Sequence, residues 1–311
     1  MFDRNQTDLI LGTANWGWTV DQQTAFHLLE SWMEAGLSAV DAATNYPINK
    51  VPEDFRLSEK ILKEFVDAHG VNTLQITMKL GSTDNMRSPE NNLAPSFLEM
   101  MTEEYLRLFG ANLHGIMIHW DNRNDSSAIS ETLDVLTRMH DQHGLKPGLS
   151  GLAHPSAYLE AMQEYSLPTD LQLKHNVLQS DLKKYQEFKP EQFRFCTYGI
   201  NAGGVKLDGK YGENSSYLAR GGKPEASRQL LEAIQAELED WTLAAVRPPI
   251  KNMNQLGLIF NSMTPEIQAF LLGVSSIPQL RQTLEFLRDL EVFDYTDVYE
   301  KIVRLQRQYA G

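Results

Sequence analysis

Two apolar spacings alternate along this chain. Short runs in which almost every residue is apolar give way to longer stretches with the three-and-four spacing of an amphipathic helix. The runs Leu9–Gly12, Ala39–Asp41, Leu74–Lys79, Gly115–His119, Gly148–Ser150, Leu171–Lys174, Arg194–Tyr198 and Phe270–Gly273 predict eight strands. Helical spacing lies between them over Gln22–Ala35, Leu57–Ala68, Ala94–Leu108, Ser126–His143, Ser156–Glu164 and Lys251–Asn261, and again at the end over Thr296–Tyr309. The first helix opens on Thr19-Val20-Asp21-Gln22, which reads as a capping box, and closes at Gly36. Eight strands, each followed by a helix or a long connection, predict a closed (β/α)8 TIM barrel rather than an open sheet. No helical spacing reads between Leu182 and Arg194, the weak point of that pattern.

At 311 residues the chain accommodates one such barrel, and no Ser/Gly linker or break in composition divides it, so one domain over 1–311 is expected. Its longest irregular stretches, 47–56, 81–92 and 199–222, all follow predicted strands and so belong on one face of the barrel. The helix over 296–309 lies beyond the eighth unit, as a packing tail. A net charge of −13 with no basic stripe argues against a nucleic-acid partner. No stretch approaches the roughly 18 apolar residues of a membrane helix, and the first residues carry neither a signal segment nor a basic transit character. One cysteine, Cys196, leaves no internal disulfide framework and fits a reducing compartment, so a cytoplasmic setting is expected. No His/Cys cluster suggests a metal site.

Polar residues punctuate the strand ends. Asp41 closes the second run with Tyr46 five residues on, Lys79 ends the third, and His119 ends the fourth with Trp120 next. None of these belongs in a buried strand without a partner. Taken singly, Asp41 and Lys79 read as a buried ion pair, Tyr46 as rim packing and His119 as a satisfied core histidine. Together they converge at the C-terminal mouth of a barrel, where catalytic side chains collect. An ammonium beside the phenol favours phenolate, and an acid beside the ammonium holds it charged. Such a group suits proton delivery to a carbonyl oxygen, with the hydride coming from a cofactor. Asp121 is the only other acid placed for a hydrolytic carboxylate pair. Gly204–Tyr211 nearly spells a P-loop, but Tyr211 stands where the Mg²⁺-binding hydroxyl belongs.

This constellation resembles the aldo-keto reductase superfamily over nearly the whole chain. The family's Gly-x-x-x-x-Asp-Thr-Ala-x-x-Tyr segment is read from Gly36 to Tyr46, with Ala42 for the threonine. It is followed by Ser58-Glu59-Lys60-Ile61-Leu62, the strand-ending Lys79 and Ile118-His119-Trp120. The resemblance implies Tyr46 as general acid, Lys79 and Asp41 as its activating pair, and His119 orienting the substrate. It also implies NADP as cofactor without a Rossmann glycine motif, which this chain lacks. On that reading Ser150 and Gln172 contact the nicotinamide amide, and Tyr198 stacks on its ring. Gly151 replaces the usual asparagine after Ser150. Gly273, Ser275, Ser276 and Gln279, in Leu272–Leu280, look like the adenosine-phosphate segment, with Thr283 for a usual asparagine. Trp16, Trp18 and Trp120 fall at rim positions, where they line a substrate pocket or pack the rim, and Asn15 is a further candidate there. The expected partner is a small carbonyl or alcohol substrate. A second reading is an NADPH-binding regulatory or redox-sensing subunit, since the beta subunits of voltage-gated potassium channels share this fold and the Leu-Leu-Gly-Val-Ser-Ser wording.

Overall fold

The computed structural model describes residues 7–212, 215–219, 221–223, 228–243 and 247–309. Eight parallel strands close into a barrel in sequence order: β1 (Asp8–Gly12), β2 (Ala39–Ala43), β3 (Gln75–Leu80), β4 (Leu113–His119), β5 (Lys146–Ser150), β6 (Thr169–Lys174), β7 (Phe193–Tyr198) and β8 (Ala269–Leu272). β1 pairs with β2 on one side and β8 on the other, which completes the ring. All eight predicted strands are present, most of them longer by one or two residues than the apolar run alone suggests.

The helices form the outer layer: α1 (Gln22–Glu34), α2 (Leu57–His69), α3 (Pro95–Phe109), α4 (Ser126–His143), α5 (Pro155–Ala161), the single turn α6 (Ser216–Ala219), α7 (Arg228–Leu243), α8 (Met253–Ser262), α9 (Ile277–Val292) and α10 (Thr296–Tyr309). α1 begins at Asp21, whose carboxylate accepts from the Thr24 N–H at 2.7 Å, so the cap is the aspartate and not Thr19. Such a cap contributes about 1 kcal/mol. The face of α1 that carries Leu28, Leu29 and Trp32 is fully buried, and each such side chain adds roughly 1.5–3 kcal/mol. α7 is absent from the helices the spacing predicts, although Leu230, Leu231 and Ile234 give it a buried stripe. Between β6 and β7 there is only a 3-10 turn over Leu182–Tyr185, which accounts for the missing helical spacing there. Positions 213, 214 and 220 of the long loop expected over 199–222 lie outside the described residues. Among the described residues no helix is long and apolar enough to cross a membrane.

The main core lies between strands and helices. A smaller cluster, Ile10, Cys196, Ala269 and Leu271, fills part of the barrel interior. Burial first, and Asp170 next, push the Cys196 thiol far above its ordinary range, so it is packing and not a nucleophile.

His175, just past β6, stacks on Phe260 with ring centroids 4.4 Å apart and shares hydrogen bonds with Ser180 Oγ at 2.7 Å and Thr264 Oγ1 at 3.1 Å. Burial pushes its pKa down from 6.5 to about 4. Between those values the unfolded chain binds a proton that the folded chain refuses, so stability is lost as pH falls through that window. Going from pH 7.5 to 5, this one group is expected to remove about 2 kcal/mol. His175→Gln should flatten that part of the slope in urea denaturation. An unchanged slope would assign the acid sensitivity elsewhere.

Candidate active site

β2 and β3 lie in register with Ala43 beside Lys79, and β3 meets β4 with Lys79 beside Met117. Side chains two residues apart on a strand share a face. Asp41, Lys79 and His119 therefore point into the same end of the barrel, and the loop after β2 brings Tyr46 over them. That loop is fixed at three points. Thr44 N–H and Oγ1 donate to the Lys79 carbonyl at 3.1 and 2.9 Å, the Ser58 N–H donates to the Tyr46 carbonyl at 3.3 Å, and Ser58 Oγ donates to the Thr13 carbonyl at 3.0 Å. Glu59, the next residue of the Ser-Glu motif, accepts from the Arg56 fork and from Tyr105 Oη at 2.7 Å, which fastens α2 to α3.

The Lys79 ammonium is buried and donates to Asp41 Oδ1. It sits 4.8 Å from the centre of the Tyr46 ring. Burial alone would lower the Lys79 pKa. Asp41 first, and the Tyr46 phenol after it, more than reverse that effect, and the net shift is upward. Asp41 is held from both sides, because Gln172 Nε2 donates to its other oxygen at 2.6 Å and Ser150 Oγ donates to Gln172 Oε1 at 3.2 Å. Lateral register makes this chain possible: His119 pairs with Ser150, and Ser150 with Gln172.

His119 is buried, with its ring edge-on to Tyr46 at 5.9 Å and tilted against Trp120 at 4.4 Å. Burial, then the nearby Lys79 charge, hold its pKa well below the ordinary histidine range. The imidazole is thus neutral at neutral pH and able to present one N–H. Its Nδ1 has no partner among the described residues. Among the described residues, all the other buried polar atoms without a partner except Glu291 Oε1 on α9 gather on the same face, namely Trp16 Nε1, both carboxamide atoms of Asn45, Asn85 Oδ1 and Asn176 Nδ2, each on a loop that follows a strand. Buried polar groups are normally satisfied. Such a concentration is what a site for a polar ligand requires. Asn45 and Asn176 escaped the sequence reading, although Asn45 adjoins Tyr46, which it singled out.

Trp16 lies in the core with no exposed surface, whereas Trp18 and Trp120 are half-buried. Trp120 adopts a left-handed φ of +58°, a strain worth roughly 1–3 kcal/mol. Gly151 has φ +66°, and a Cβ there would lie 2.6 Å from Trp120 Cδ1. The indole thus occupies the space that the expected asparagine would need, which makes Gly151 and Trp120 one steric unit. Tyr198 ends β7, half-buried. At the end of β8, Gly273 is open, with no atom of the described residues beyond its chain neighbours within 4 Å of where its Cβ would be. Ser276 caps α9 by accepting from the Gln279 N–H, and Gln279 Oε1 accepts from the Ser275 N–H at 2.7 Å and from Ser275 Oγ at 3.1 Å. An acceptor oxygen already stands at the amino end of α9, where a phosphate oxygen would be favoured. Thr283 is buried and accepts from Asn254 Nδ2 at 3.0 Å, so it ties α9 to α8 instead of facing this segment.

Asp121 is fully committed. The Arg123 fork and Tyr158 Oη, the latter at 2.5 Å, saturate its carboxylate. Asp41 is likewise committed, to Lys79 and Gln172, so neither acid is left for the proton transfers of a hydrolytic pair.

The aldo/keto reductase family model matches residues 8–301. The chain belongs to the aldo/keto reductase family. It is therefore a carbonyl oxidoreductase in the general sense of that family. Among solved structures, the aldo-keto reductase AKR11C1 from Bacillus halodurans, in its holo form, superposes with a TM-score of 0.69 over 96% of this chain and 91% of its own, at 14% identity. At that identity the match speaks for the fold alone. An uncharacterized 11.2 kDa protein from the crtE 3' region of Pseudescherichia vulneris is 41% identical over 80 residues, which is 24% of this chain and 74% of that protein.

Proposed function

We propose that this aldo/keto reductase catalyses the NADPH-dependent, reversible reduction of an aldehyde or ketone to an alcohol. The observation that carries this reading is the buried Lys79 ammonium, held charged between the Asp41 carboxylate and the Tyr46 phenol. Tyr46 is the general acid. The adjacent cation stabilises the phenolate that remains once its proton has moved to the carbonyl oxygen. Asp41 keeps Lys79 charged, and Gln172 and Ser150 keep Asp41 in place. Neutral His119 donates its N–H to the carbonyl oxygen and orients it toward Tyr46.

A bound nicotinamide cofactor supplies the hydride. The unpartnered polar atoms at the mouth support the fit of such a ligand. Ser150, Gln172 and Tyr198 would hold its nicotinamide end, and Gly273, Ser275, Ser276 and Gln279 its adenosine phosphate. Gln172 has one N–H and one lone pair left for this, since its other amide hydrogen bonds Asp41 and its oxygen accepts from Ser150. Trp18 and Trp120 flank the carbonyl. A cytoplasmic setting accompanies this reading, because the single buried cysteine suits a reducing compartment.

The test is direct. NADPH added to the purified protein should quench tryptophan fluorescence, and NADPH absorbance should then fall on addition of nitrobenzaldehyde. Binding without turnover would favour a regulatory or redox-sensing subunit. No binding would end the cofactor assignment.

A further inference from the structure

The cavity of this barrel opens at the end opposite the proposed active site. It has a volume of about 200 Å³ and runs from Asp8, His114, Asp170 and Arg194 at the amino ends of the strands up to Asp41 and Gln172. Bulky branched side chains normally fill the axis of such a barrel. Here Met117 reaches over Gly148, and Ile10 and Leu271 hold part of the axis, but Ala39 on β2 and Thr77 on β3 are small and leave the cavity open beside them. Thr77 keeps partial solvent exposure although it sits mid-strand, two residues before the buried Lys79 on the same face. The floor is charged. Arg194 donates to both oxygens of Asp170, and Lys146 pairs with the same carboxylate at 3.0 Å.

A cavity of this size, lined by hydroxyl, amide and carboxylate groups, holds several water molecules. We propose that it is a rear entrance for protons, through which Tyr46 is recharged by way of Asp41 and Lys79 after each reduction. The inference rests on the reading of Tyr46 as proton donor. Reduction of one carbonyl consumes one proton from solvent in addition to the hydride. The Tyr46 O–H bond breaks as its proton passes to the carbonyl oxygen. Lys79 then gives one proton to the phenolate and takes one back from solvent along the water file that ends at Asp41. The net change is the single proton that the overall reaction requires. The geometry favours this route because Lys79 is enclosed on the substrate side by Tyr46 and reaches Asp41 on the other. Solvent therefore meets the relay from below while the mouth is covered.

Thr77→Leu would plug the cavity at mid-height, Ala39→Val would narrow it from the neighbouring strand, and Thr77→Ser would leave it open. Stopped-flow mixing of the NADPH-loaded enzyme with nitrobenzaldehyde, with a pH-indicator dye present, follows NADPH oxidation and proton uptake in the same shot. In the wild type and Thr77→Ser the two traces should coincide. In Thr77→Leu and Ala39→Val, NADPH oxidation in the first turnover should stay within about twofold of wild type, while proton uptake lags about tenfold behind it. Circular dichroism establishes which variants are folded. Coincident traces in a folded plugged variant would overturn the rear route, as would equal slowing of both traces, which would make these residues simple packing beneath the site. A wild type that binds NADPH but never oxidises it would instead defeat the underlying reading of Tyr46.

Discussion

Tyr46→Phe is expected to lower kcat/KM by about a thousandfold, within the 10²–10⁴ range typical of a general acid, and to leave the Kd for NADPH within about twofold of wild type. The phenylalanine keeps the ring that lies 4.8 Å from the Lys79 ammonium, so the packing around the cation survives and only the transferable proton is removed. The loop keeps its anchors at the Tyr46 carbonyl, Thr44 and Ser58, and of the loop's ties only the phenol's own hydrogen bond with Lys79 is lost. Steady-state kinetics and a fluorescence titration on the same preparation separate the two effects. A parallel loss of binding and turnover would make Tyr46 a structural residue.

Lys79→Met should be costly in a different way. It removes the ammonium but leaves the Asp41 carboxylate buried with only the Gln172 amide as a partner. Breaking a buried pair from one side costs roughly 3–5 kcal/mol, whereas replacing both members by apolar residues of similar size is often close to neutral. The double variant Asp41→Leu/Lys79→Met is therefore expected to regain most of that stability in urea denaturation. Neither variant should regain activity, with turnover down at least a hundredfold in each. Stability and catalysis would then part company at the same two positions. If the double variant were as unstable as the single one, the pair would owe its place to packing and not to charge.

The barrel was legible because its strands are short, apolar and evenly spaced, and its site because the second, third and fourth runs end in Asp41, Lys79 and His119, residues that no buried strand tolerates alone. Lys79 and His119 announce themselves in that way, and Asp41 and Tyr46 do so through their spacing after Gly36. What escaped depends on register and on backbone angles that no apolar pattern encodes. The bond from Gln172 to Asp41 joins residues 131 positions apart and arises only once β2 and β6 face each other across a closed ring. Gly151 reads in the sequence only as a replacement for the family's asparagine. In the fold it makes room for an indole at a left-handed Trp120. Trp16 could not be told from a rim tryptophan, because its burial is set by the loop that follows β1 and not by its neighbours in sequence. α7 was passed over although Ser227 stands directly before it and Leu230, Leu231 and Ile234 follow at helical spacing, because the long irregular segment was read through to the helix at 251.

The loops after β2 and β3 are stitched to each other. Asn85 Nδ2 donates to the Val51 carbonyl at 2.6 Å and to Asn49 Oδ1 at 3.2 Å, while Asn49 Nδ2 donates to Asp54 at 2.5 Å. Arg56, at the end of the first loop, spans Glu59 on α2 and Glu104 on α3. A change of length in one loop must therefore be answered in the other. Whatever these two segments select at the mouth, they select as a single module, and a change of substrate by loop exchange succeeds only when both travel together with Arg56 and its two acids.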